Sequence, residues 1–179
     1  MLYVFGFDRV AVVLSDIYFL DPEPDPGQEG AERGVRLEVR FLEGGEHDGT
    51  IYASRPIHVG QPIWRADLLE SVEGTPGSFD RTHHHPQTRG WEPGRRKFER
   101  GLSADPLGWV AERLRDLPGL VAQAELPPDS VTAEDVTHMR ASTDEIFDAT
   151  RRLFERIHAG ELARAPVVRA GELARTGWL

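Results

Sequence analysis

A chain of 179 residues, 39% hydrophobic and 28% charged, has the composition of a soluble globular protein rather than of a disordered or membrane one. It has no cysteine, which rules out disulfides, thiolate zinc sites and cysteine nucleophiles together. The formal net charge of −9 argues against a surface that coats nucleic acid, because phosphate binding is driven by clustered cations.

The opening stretch MLYVFGFDRVAVVL is broken by Asp8 and Arg9, and no apolar run reaches the ~18–20 residues that span a bilayer. A cytoplasmic protein without a membrane partner is the expectation. Residues 9–20, RVAVVLSDIYFL, are β-branched and aromatic and too short for an amphipathic helix, which predicts an internal strand buried on much of both faces. The following DPEPDPGQEG carries Pro at alternate positions and reads as an extended, acidic loop. In GVRLEVRFLEGG, Val35, Leu37, Val39 and Phe41 alternate with Arg36, Glu38 and Arg40, the period of a strand with one wet face. TIYASRPIHV (50–59) and PIWRADLLESV (62–72) predict two more strands, with glycines supplying the turns, and Arg81 to His85 a fifth short one.

Past RGWEPGRR the period changes from two to 3.6. Asp105 is a predicted N-cap with Pro106 at the first helical position, and Pro118-Gly119 a predicted stop. A second helix is expected to start at Thr132, with a carboxylate three residues on at Asp135, and to end near Gly160. Val136, Met139, Thr143, Ile146, Phe147, Thr150, Leu153, Phe154 and Ile157 recur along it at threes and fours. The fold class is therefore α+β: an antiparallel meander of four to five strands followed by two C-terminal helices, the second long, in a single domain spanning 1–179. Phe147 and Phe154 widen the stripe beyond what a two-layer domain has to cover, so a protein partner or a second copy is expected to dock on helix 132–160. Trp178 and Leu179 suggest either a docked or a sticky terminus.

The segment FDRTHHHPQTRGWEPGRRKFER, residues 79–100, gathers three histidines and a local excess of cations in an otherwise acidic chain. In an extended strand His83 and His85 project together and His84 points the other way. One chemistry this allows is phosphodiester cleavage, with His83, His84, His85 and Asp80 as acid and base and Arg81, Arg95 and Arg96 holding phosphate. Trp91 and Trp64 are candidates to stack a nucleobase, and Arg65, sharing a strand face with Asp67, to line the cleft. A second is a metal site, two imidazoles at i and i+2 with further ligands from His58, Asp67 or Glu70. The third reading is structural: imidazole nitrogens that satisfy backbone carbonyls, and arginines that offset nearby acids. No GxGxxG, Walker loop, HExxH or GxSxG occurs, and no cofactor is expected.

At FDRTHHHP the chain resembles the TumE-type toxin components of bacterial toxin–antitoxin pairs, which run a strand meander into an aspartate followed by paired histidine and proline. Asp80, His84, His85 and Pro86 are the matching positions, within residues 35–117. The resemblance implies a growth-inhibiting partner of an antitoxin acting on RNA. Two features depart from that pattern: RGWEPGRR stands where a second histidine group is expected, and the long helix lies outside the compared region. The Ala/Arg/Gly/Asp-rich, lysine-poor wording is that of a GC-rich bacterial genome.

Overall fold

The computed structural model describes residues 1–166, so the expectation for Trp178 and Leu179 lies outside the described residues. Five strands, β1 (Leu2–Gly6), β2 (Val10–Leu20), β3 (Ala31–Gly44), β4 (Ile57–Ser71) and β5 (His83–His85), form one antiparallel sheet in chain order. A small ribbon of β6 (Thr88–Arg89) and β7 (Glu92–Pro93) leads into four helices: α1 (Arg100–Ala104), α2 (Pro106–Arg115), α3 (Leu117–Gln123) and α4 (Ala133–His158). The architecture is the α+β class that the change of period predicts.

The alternation in β3 decides which face meets the helices. Val35, Leu37 and Val39 point inward with Val10, Val12 and Leu14 of β2 and Trp64, Ala66 and Leu68 of β4. These join Leu102, Trp109, Val110, Leu114, Ile146 and Leu153 from the helices in one apolar cluster. Each fully buried Val, Leu or Ile among them contributes about 1.5–3 kcal/mol. Arg36, Glu38 and Arg40 consequently lie on the opposite, outer face, beside Arg65 and Asp67 of β4.

Helix α4 begins as the sequence predicts. The Thr132 hydroxyl accepts from the Asp135 backbone N–H, and the Asp135 carboxylate accepts from the Thr132 N–H, a complete capping box. Its stripe is consumed inside the chain: Phe147 and Phe154 are buried along with Met139, Ile146, Leu153 and Ile157. The premise that this stripe exceeds what the domain covers does not hold, because α2 and the inner sheet face cover it.

Several boundaries differ from the sequence reading. Leu2–Gly6 is a separate edge strand, turned back on β2 at Phe7–Val10. Residues 50–56 belong to the β3–β4 connection, and one fifteen-residue β4 runs through Pro62. Register shifts on either side of Arg40, opposite Pro62, absorb the missing N–H, so the proline does not end the strand. Pro118-Gly119 starts a helix rather than stopping one: Asp116 caps α3 by accepting from Gly119 N–H, with proline in the first turn, where its missing donor is harmless.

Candidate functional site

The short edge strand β5 is paired with β4 so that His83 faces Asp67, His84 faces Ala66 and His85 faces Arg65. On its far side His84 exchanges both backbone hydrogen bonds with Lys97. Strand alternation therefore splits the histidines as expected. His84 turns inward, fully buried, with its ring 4.9 Å from that of Trp109 and 6.1 Å from that of Trp64. Its Nε2 lies 2.9 Å from Glu99 Oε1, and its Nδ1 has no hydrogen-bond partner. His83 and His85 turn to the outer face, ring centroids 5.1 Å apart, and converge on Asp67.

All three members of this outer cluster are buried. His83 Nδ1 lies 2.9 Å from the Arg81 carbonyl oxygen and His85 Nδ1 2.7 Å from that of Gly94. A carbonyl only accepts, so each Nδ1 carries a proton, and in a neutral ring Nε2 is left with its lone pair. Those two Nε2 atoms stand 3.5 and 3.6 Å from Asp67 Oδ2. With both rings neutral, three electron-pair donors face one point, an arrangement that repels itself unless a cation stands among them.

Two arginines provide positive charge. Arg36, opposite Asp67 on β3, donates from Nε to Oδ1 at 2.7 Å and from Nη2 to Oδ2 at 3.3 Å. Arg65 places Nη2 2.9 Å from His85 Nε2 and 3.0 Å from Asp67 Oδ2. Burial raises the Asp67 pKa, but Arg36 foremost, with the two histidines and Arg65, outweighs it and holds the carboxyl well below its usual range. Burial lowers the His85 pKa against the pull of Asp67, which keeps the ring neutral near pH 7.

The other predicted residues are dispersed. Asp80 accepts from Ser71 N–H and the Ser78 hydroxyl in the β4–β5 turn, and bonds to no imidazole. Arg81 donates to the carbonyls of Gly27 and Glu29, fastening the acidic loop, and Arg96 bonds to Asp21 at 2.5 Å. Arg95 is exposed; Trp91, also exposed, lies under the Arg40 guanidinium at 5.1 Å. Trp64 is in the core and presents no face to a base. Of the proposed extra ligands only Asp67 arrives: His58 is exposed near the start of β4, and Glu70 bonds to Arg33 and His158 on the inner face. Sequence reasoning missed Arg36, whose place on a wet face was legible but whose register against Asp67 was not. It also missed Glu32, a buried carboxyl with Oε2 unpartnered, its pKa raised by burial against His83, Arg96 and Arg81.

No family model, curated protein or solved structure matches this chain.

Proposed function

We propose that the protein binds a divalent transition-metal ion through Asp67 Oδ2, His83 Nε2 and His85 Nε2. The observation that carries this reading is the convergence of these three atoms with both Nδ1 protons committed to backbone carbonyls. Carbonyl acceptors behind ligating imidazoles fix the tautomer and orientation a metal needs. Ligands at 2.0–2.2 Å from a tetrahedral ion are about 3.4 Å apart, close to the 3.5 and 3.6 Å found here. Two imidazoles and a carboxylate suit zinc, iron or manganese rather than calcium, which takes oxygen ligands. Three protein ligands are one fewer than a closed structural zinc site uses, so a position is left for water or a small ligand. A metal there would supply Lewis acidity and a water of lowered pKa.

A metal-free acid–base reading asks more of the histidines, since both nitrogens of each outer ring already face protein atoms. The contact of Arg65 with His85 is what favours it: a guanidinium beside an imidazole is a pair that RNA-directed, toxin-like chemistry would use. Growth inhibition by the expressed protein that disappears in a folded H83A/H85A variant would support that second reading, and inhibition unchanged by it would dismiss it.

The test of the metal reading is titration of untagged protein with cobalt(II), followed by visible absorbance and thermal unfolding. One equivalent is expected to bind. At a hundredfold excess over Kd the unfolding midpoint should rise by about 5–10 °C. D67N, H83A and H85A should each abolish the effect. Wild-type protein that binds no more cobalt than these variants would overturn the reading.

A further inference from the structure

Arg65 occupies the two acceptors that a metal would need most. Its Nη2 is 2.9 Å from His85 Nε2 and 3.0 Å from Asp67 Oδ2. The single Nε2 lone pair of a neutral imidazole cannot accept from a guanidinium and coordinate a cation at once. Guanidinium does not shed its proton, so a dication arriving with Arg65 in place would meet a fixed positive charge at hydrogen-bonding range. We infer that Arg65 is the resident counter-cation of the metal-free site, and that a divalent ion binds by displacing its guanidinium from His85 and Asp67. The inference rests on the metal reading above and adds to it a switch made of one side chain.

The fold supplies what such an exchange requires. The Arg65 Nε is buried without a hydrogen-bond partner, a donor that leaving this position could satisfy. Glu38 lies directly opposite it across the β3–β4 pair, on the same outer face. That carboxylate, 2.8 Å from Arg40 Nη1, offers the released guanidinium a second acidic partner one strand away. Arg36 differs in kind: its closest bond is to Oδ1, the oxygen that both imidazoles leave alone, so it can stay while Oδ2 coordinates.

Cobalt(II) affinity separates the two arginines. R65M is expected to bind about tenfold or more tightly than wild type, because the fraction of protein with a vacant site no longer limits the apparent affinity. R36M should bind no more tightly than wild type, and E38Q more weakly, for want of a receiving carboxylate. An R65M affinity equal to or below that of wild type, or the same gain in R36M, would overturn the exchange while leaving the metal reading intact. Wild type and R65M both binding no better than H83A would remove both. Should R65M not fold, zinc titration of 15N-labelled wild type decides. The Arg65 Nε–H signal is expected to move on saturation while that of Arg36 keeps its place, and an unmoved Arg65 signal refutes the exchange.

Discussion

Three consecutive histidines in one strand have two unlike environments, and the difference is one of parity. His84 sits on the inner face, against Trp64 and Trp109, where burial lowers its pKa despite the Glu99 carboxylate that pulls the other way. Its ordinary value is 6.5. Below that pH the unfolded chain takes up a proton that the folded ring resists, so the unfolded state binds more protons and stability rises with pH across the window. His85, lowered for the same first reason, adds in the same direction. Unfolding free energy of the metal-free protein is therefore expected to be level above about pH 7 and to fall on acidification from about 6.5, by up to about 1.4 kcal/mol per pH unit per group. H84Q should reduce that slope in denaturant titrations at a series of pH values. An identical slope in H84Q would show that the inward ring is not its source.

Between elements, one carboxylate ties helix to sheet. Asp135 closes the capping box of α4 and also accepts from the backbone N–H groups of Asp8 and Arg9 in the β1–β2 turn. Burial pushes its pKa up, and the bonds from Thr132, Arg9 and Asp8 outweigh that and hold it below 3.8. With the folded pKa depressed, its contribution is complete above about pH 4 and is lost as pH falls through the folded value. D135N should cost about 1.5–3 kcal/mol near neutral pH, and T132A, which loses only the hydroxyl cap, about 1 kcal/mol. Urea unfolding checks both. D135N costing no more than T132A would mean that the bonds to Asp8 and Arg9 contribute nothing.

For the molecule as a whole, the sheet separates two regimes. Its inner face is an apolar layer closed by α2 and α4; its outer face carries Arg36, Glu38, Arg65, Asp67, His83 and His85. β5 is three residues long, paired with β4 on one side and bridged to Lys97 on the other, and it carries two of the three residues that converge on the site. Metal binding should accordingly slow amide hydrogen exchange in β5 and in the segment around Lys97 by more than global stabilisation alone slows it in α4. Protection spread evenly over α4 and the outer face would instead report global stabilisation with no local tie. Among the described residues no helix is long and apolar enough to cross a membrane.

The amino-acid sequence by itself determined the elements whose signals are local. Alternation in β3, the capping pair Thr132 and Asp135, Asp105 before Pro106, and the opposed directions of His83 and His84 all depend on neighbours within a turn or a pleat, and all are found as read. Proline misled twice, at Pro62 and Pro118, because whether a missing N–H matters depends on what lies opposite or before it. Only the tertiary structure decided that Asp67 rather than Asp80 meets the histidines, and that Arg36 and Arg65 complete the group. That outcome is a matter of register: the connections between β3, β4 and β5, with the irregularity at Arg40 opposite Pro62, set which residues stand side by side, and alternation within one strand fixes the face of a residue but not its partner.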